Sequence, residues 1–157
     1  MALTFPDPAL VLLVGPSGAG KSTFARANFR ATQIVSSDAL RALVSDDPDD
    51  QNASADAFRI LALLLNARLK RRLTAVVDAT NLRAGNRRRL RSLAARYGVP
   101  VVAVVFDLPE RAFFDNNAQR PDRRVGDGVI ARHVELMRVA VEDVANEGYA
   151  AVFFVRR

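Results

Sequence analysis

Short continuous apolar runs alternate along this chain with longer stretches in which apolar residues recur every three or four positions. The runs have strand length and fall near 9–14, 33–36, 74–78, 100–106 and 149–155. Three of them (76–77, 101–106 and 151–155) are β-branched or aromatic. The periodic stretches predict helices near 21–30, 38–44, 54–72, 84–97, 109–118 and 127–147. Ser54 stands at the N-cap position of the third, whose apolar load is Phe58, Leu61, Leu64 and Leu65. Tyr97-Gly98 ends the helix before the fourth strand. Strands that alternate throughout with one or two helices predict an α/β domain, a doubly wound parallel five-stranded sheet with helices on both faces. Ligands of such sheets bind beyond the carboxyl ends of the strands, so the residues that follow each strand are the ones to read for chemistry.

Composition narrows the class. The 157 residues have the length of one domain, and half of them are apolar, enough for a sizeable core. No apolar run approaches the roughly 18 residues of a membrane span. The first residues lack the charged and apolar regions of a signal peptide. The chain has no cysteine, which excludes disulfides and thiolate metal sites. The expectation is a single cytoplasmic domain over 1–157 with no membrane partner. A net charge of +6 favours polyanions such as nucleic acid. Two clusters concentrate it, Arg68, Lys70, Arg71 and Arg72 at one helix end and Arg83, Arg87, Arg88, Arg89 and Arg91 on the next helix. Both read as solvated helix faces as readily as contacts to a polyanion.

The most specific signal lies between the first strand and the first helix. Gly15-Pro16-Ser17-Gly18-Ala19-Gly20-Lys21-Ser22 matches G-x-x-x-x-G-K-[ST] at every fixed position, in the strand–loop–helix context that motif requires. Of the 23 basic residues 21 are arginine, yet position 21 is a lysine, where a compact ammonium rather than a planar fork suits a place between two phosphates. Gly15, Ser17, Gly18, Ala19, Gly20, Lys21, Ser22 and Thr23 are therefore the expected nucleotide-binding residues. Their N–H groups would cradle the polyphosphate of ATP or another NTP, Lys21 would reach the β- and γ-phosphates, and Ser22 would ligate Mg²⁺.

Three further groups follow strands. Asp78 closes an apolar strand at a Walker-B-like position, suited to hold a water on Mg²⁺ or to bond the Ser22 hydroxyl; the alternative is a cap for the segment after Asn81. Asp38 follows Ser36-Ser37 and opens a helix, with Arg41 one turn on. A carboxylate there can accept a proton from an attacking hydroxyl, or it can cap the helix. The segment 109–126 starts as a helix and is then interrupted by Arg120, Arg123 and Arg124, as in a lid whose arginines neutralise a transferred phosphoryl group; the alternative is a solvated basic loop. His133, the only histidine, falls within a helical pattern with no metal-ligand spacing around it and reads as structural.

Taken in order, the P-loop, Ser36-Ser37-Asp38 with Arg41, Leu43-Val44-Ser45-Asp46-Asp47 leading to Asp50-Gln51, Val76-Val77-Asp78-Ala79-Thr80-Asn81 and Arg120-Pro121-Asp122-Arg123 resemble the kinase domain of bacterial polynucleotide kinase-phosphatase, an RNA end-healing enzyme. The resemblance covers essentially the whole chain. It implies an NMP-kinase-like P-loop fold with a lid, and transfer of the γ-phosphate of an NTP to a nucleic-acid 5′-hydroxyl, on RNA or DNA. It further implies that Asp38 is the general base, that Arg41 holds the terminal phosphate of the acceptor, and that Arg123 and Arg120 contact the donor. One departure is local: the family carries an arginine where this chain has Asn116, so Arg120 or Arg124 substitutes or the donor is bound differently. The other is extent: these 157 residues hold no phosphatase or ligase module, as expected either of a stand-alone kinase or of a domain excised from a longer protein. Two other classes fit a P-loop, a small-molecule kinase acting on a sugar or an antibiotic, and a nucleotide-dependent switch without acceptor chemistry. An acceptor base beside the γ-phosphate, Asp38 with Arg41, is a feature a switch does not need.

Overall fold

The computed structural model describes residues 2–121 and 125–156. These residues form five strands, β1 (Leu10–Val14), β2 (Ile34–Ser36), β3 (Ala75–Asp78), β4 (Val101–Phe106) and β5 (Ala151–Val155). Six helices join them: α1 (Lys21–Asn28), α2 (Ser37–Ser45), α3 (Ser54–Lys70), α4 (Ala84–Arg96), α5 (Glu110–Ala118) and α6 (Asp127–Val144). The sheet is wholly parallel in the order β2-β3-β1-β4-β5. This is the doubly wound α/β architecture that the alternation predicts. Strand β1 lies at the centre, with Leu10 opposite Ala75 on one side and Val101 on the other.

Every residue of β1, β3 and β4 is buried, because both faces of the sheet are covered. Leu10, Leu12, Val14, Val77, Ala103 and Val105 face one core, shared with α2, α3 and α4. Val11, Leu13, Val76, Val104 and Phe106 face the other, shared with α1 and α5. Helix α6 serves both, with Ile130 and Val134 in the second core and Met137, Ala140 and Val144 in the first.

Helix α3 departs from the sequence reading at its start. The chain already winds into a 3-10 turn at Gln51–Ala53, capped by Asp50, and runs on into α3, so Ser54 has helical backbone angles and cannot cap. Its buried stripe is Ala57, Leu61, Leu65 and Leu69, while Phe58 and Leu64 are partly exposed. The arginine cluster on α4 also divides. Arg87 has a relative exposure of 0% and belongs to the interior, whereas Arg83, Arg88 and Arg89 are solvated. Arg87 donates to the carbonyls of Asn81 and Leu82 and forks onto Glu147 at 2.7–3.2 Å. Arg91 and the Tyr149 hydroxyl complete the bonding of that carboxylate. Burial pushes the Glu147 carboxyl up, but Arg87, Tyr149 and Arg91 outweigh it and hold the group below its usual range.

Candidate active site

The carboxyl ends of β1, β2 and β3 open into one cavity of about 1400 Å³. Its floor is the P-loop. Gly18 and Gly20 have φ of +82° and +89°, angles that a side chain disfavours. At Gly18 space is tight as well, since a Cβ would lie 3.1 Å from the Phe113 carbonyl oxygen of α5, which would have to give by a few tenths of an ångström. Gly20 is the N-cap of α1, and neither a side-chain cap nor an acidic residue occupies the first turn of that helix. The positive end of the helix thus faces the cavity with no carboxylate from its own first turn to neutralise it, which suits an anion. Lys21 is buried, and its Nζ donates to the Pro16 carbonyl at 2.7 Å, which folds the ammonium back over the loop.

Behind the loop, Ser22 Oγ donates to Asp78 Oδ2 at 2.7 Å. The N-cap of α4 is Arg83, so Asp78 does not cap that helix. Two hard oxygen donors side by side at the foot of an anion cradle fit Mg²⁺, which keeps several waters and takes its other ligands from phosphates. Among the described residues no group of three or more His, Asp or Glu side chains is placed to hold a metal by itself. Asn81 fixes the end of β3 relative to β1. It is buried at φ +49°, and its Nδ2 donates to the Leu13 carbonyl at 2.7 Å.

Across the cavity, α2 begins at the end of β2. Its cap is Ser36, whose side chain accepts from the Ala39 N–H at 3.2 Å, so capping is not the role of Asp38. Asp38 sits in the first turn with its side chain 44% exposed, and Arg41 Nη1 donates to its Oδ1 at 2.6 Å. Arg41 itself is only 12% exposed. Its Nε donates to Ser54 Oγ at 3.0 Å, and its guanidinium carbon lies 5.9 Å from the centre of the Phe58 ring. The serine and phenylalanine that the sequence assigned to capping and to the core of α3 therefore serve this arginine.

The third wall comes from α5, the segment after it, and α6. Arg120 lines the cavity; Arg123 and Arg124 lie outside the described residues. Asn116, where an arginine was expected, donates its Nδ2 to the Gly18 carbonyl at 2.8 Å and so bonds the P-loop itself. The buried Asn117 pins the returning chain with a pair of bonds to the carbonyl and N–H of Val125, at 2.7 and 3.0 Å. His133 also faces the cavity, on a stripe of α6 with Val129, Arg132 and Leu136, and the Ser17 N–H donates to its Nδ1 at 3.3 Å. Burial first, then the Lys21, Arg132 and Arg83 cations, hold this imidazole below its usual range. Asn117 and His133 escape a sequence reading because each lies within an ordinary helical pattern. The 129–132–133–136 spacing on one face of α6 is the only trace.

A P-loop on the central strand, a serine–carboxylate pair behind it and a carboxylate–arginine pair facing it define a P-loop domain of the kinase type. The chain belongs to the family described as AAA domain, which matches residues 10–144. A comparison with the curated proteins finds no match. Among solved structures, a chain of the Pnkp1/Rnl/Hen1 RNA repair complex is 26% identical, with a TM-score of 0.75 over 89% of this chain and 47% of that one. This chain thus spans about half the length of that relative. A sugar kinase from Janibacter sp. HTCC2649 is 16% identical, with a TM-score of 0.65 over 95% of this chain and 85% of that one. A gluconokinase from Sinorhizobium meliloti 1021 is 19% identical, with a TM-score of 0.62 over 97% and 84%. These last two share the fold. No helix among the described residues is long and apolar enough to cross a membrane.

Proposed function

We propose that this domain transfers the γ-phosphoryl group of ATP or another NTP to the 5′-hydroxyl end of a polynucleotide. The observation that carries this reading is the Asp38–Arg41 pair, turned toward the P-loop across an open cavity. A carboxylate there can take the proton of an attacking hydroxyl. A guanidinium one helical turn away can hold a phosphate bidentately, which an acceptor without a phosphate beside its hydroxyl does not need. Arg41 is held for that work by Ser54 and Phe58. The cavity exceeds the roughly 300–1,000 Å³ of a small-ligand pocket, and the net charge of +6 suits a polyanion. The 26% identity to a chain of an RNA repair complex supports the same acceptor class.

In this mechanism the donor's phosphates lie on the P-loop amides and the α1 N-terminus, and Lys21 leaves the Pro16 carbonyl to bind the β- and γ-phosphates. Ser22, with Asp78 behind it, would hold Mg²⁺, which would supply charge neutralisation on the phosphates. Arg41 fixes the acceptor by the phosphate next to its terminal sugar, and Asp38 accepts the proton of the 5′-hydroxyl as that oxygen attacks. Arg120 and Arg123 offset the charge that develops on the transferred group.

Incubation with γ-labelled ATP, Mg²⁺ and three acceptors tests the proposal. The acceptors are a 5′-OH oligonucleotide, a nucleoside without a phosphate, and a sugar acid. Label on the oligonucleotide, with the nucleoside a poor acceptor, is the expected result. Label on the sugar acid would make this a small-molecule kinase, and release of free phosphate alone would make it a nucleotide-dependent switch.

A further inference from the structure

Three P-loop amides are tied to acceptors of the protein. The Gly15 N–H bonds the Thr80 carbonyl at 3.0 Å, the Ala19 N–H bonds the Pro16 carbonyl at 3.2 Å, and the Ser17 N–H bonds His133 Nδ1 at 3.3 Å. The first two are backbone contacts within the loop and its neighbouring strand end. The third spans most of the chain and comes from α6, the helix that follows the segment with Arg120. One residue further along, the Gly18 carbonyl accepts from Asn116 of α5. The Ser17–Gly18 stretch at the apex of the loop is thus gripped by one side chain from each of two helices, one on an N–H and one on a carbonyl.

We infer that His133 is a positioning residue of the donor site, whose Nδ1 holds the Ser17 amide so that the neighbouring loop amides converge on the donor's phosphates. The inference rests on the reading of the P-loop as the donor site. An anion cradle depends on the direction of successive N–H groups, and a glycine-rich loop has little side-chain packing to set it. With Ser17 tied outward to α6, the amides of Gly18 and Gly20 on either side of Ala19 take a defined direction. Of the two forms of the ring only the neutral imidazole, with an open Nδ1 lone pair, can do this, because a protonated ring would turn a donor toward a donor. Burial, and then the cations around His133, favour that neutral form, and the cations also leave the imidazole redundant as a charge. Lys21, Arg83 and Arg132 already supply positive charge to the same wall. What His133 adds is an acceptor in a place where the other groups are donors.

The test is direct binding of ATP with Mg²⁺ to wild type, His133→Leu, His133→Asn and His133→Gln, read by calorimetry alongside thermal melting. An asparagine carries its carbonyl oxygen at the position of Nδ1, a glutamine carries it one bond farther out, and a leucine carries none. Loss of one hydrogen bond that orders the loop corresponds to about tenfold in affinity. His133→Leu and His133→Gln should therefore bind ATP about tenfold more weakly, and His133→Asn should return to within about threefold of wild type. In turnover the same change should fall on the KM for ATP, with the KM of the acceptor unmoved. Equal ATP affinity in wild type and His133→Leu would overturn the inference, and so would an asparagine variant as weak as the glutamine one. Should His133→Leu fail to fold, the contrast between the asparagine and glutamine variants decides. Wild-type protein that binds no ATP would instead overturn the donor-site reading itself. The binding experiment needs no acceptor, so its outcome is independent of whether the acceptor is a polynucleotide.

Discussion

Replacing Asp38 by asparagine separates chemistry from stability. The substitution keeps shape and one oxygen while removing the charge and the proton-accepting capacity. Stability should change little. Ser36 caps α2, so the cap survives. The pair with Arg41 is partly exposed at the Asp38 end, and such pairs contribute no more than about 1 kcal/mol. A negative charge in the first turn of a helix contributes about 0.3–1 kcal/mol more. The sum stays below about 2 kcal/mol, which lowers the melting temperature of a domain this size by at most about 8 °C. Loss of a general base costs at least about 100-fold in turnover, or about 2.7 kcal/mol of barrier. The assay is single-turnover transfer of label from ATP to a 5′-OH oligonucleotide at saturating substrates, with ATP affinity and melting measured on the same preparation. The expected result is normal ATP affinity, a small fall in melting temperature and turnover reduced at least about 100-fold. Turnover within about tenfold of wild type would refute the assignment of Asp38 as base, and a collapse of melting and ATP binding together would assign it to the fold.

Three other outcomes are expected. Lys21→Ala should abolish phosphoryl transfer in a folded protein, checked by circular dichroism beside the transfer assay, since the loss is of an ammonium that stabilises the transition state by a few kcal/mol. Arg41→Ala should raise the KM for the oligonucleotide far more than the KM for ATP. It should also reduce the salt dependence of oligonucleotide binding by roughly one phosphate contact, read from log Kd against log salt. Glu147→Gln should destabilise the fold by about 3–5 kcal/mol in urea unfolding, because it leaves Arg87 buried without its counter-charge. The pH dependence follows from the same carboxylate. Its pKa is depressed in the folded state, so its contribution is present above the unfolded value of about 4.3 and is lost as pH falls through the folded value. Burial and the bond from its hydroxyl to Glu147 push Tyr149 up to about 12, so that contribution is present below an unfolded value of about 10 and is lost as pH rises through the folded one.

The sheet was legible because parallel strands covered on both faces must be continuously apolar, and Val101–Phe106 can be little else. The P-loop was legible because its glycines and lysine answer to phosphate geometry rather than to packing. Caps were less legible. Ser36, Ser37, Asp38 and Ser54 are all good capping residues, and only the backbone angles decide that Ser36 caps α2 and that Ser54 is free to accept from Arg41. Arg87 was illegible within a run of arginines because its burial depends on Glu147, sixty residues away, meeting it from the far end of α6. Asn116 and His133 were illegible for a similar reason: each acts on a backbone atom of the P-loop, and backbone partners leave no trace in side-chain patterns.

The central place of β1 governs how the chain can fold. It comes first of the five strands in chain order, yet both its neighbours come much later, for Leu10 pairs with Ala75 on one side and with Val101 on the other. Until β3 exists the run from Leu10 to Val14 has no strand beside it, and until β4 exists it is paired on one side only. Closing such distant pairings is slow compared with forming helices, and an unpaired apolar strand invites association with other chains meanwhile. Fragments that end before β4 should therefore be insoluble on the ribosome's timescale, and the capacity to bind a nucleotide should arise late and abruptly, when β4 docks, rather than when the loop itself is made.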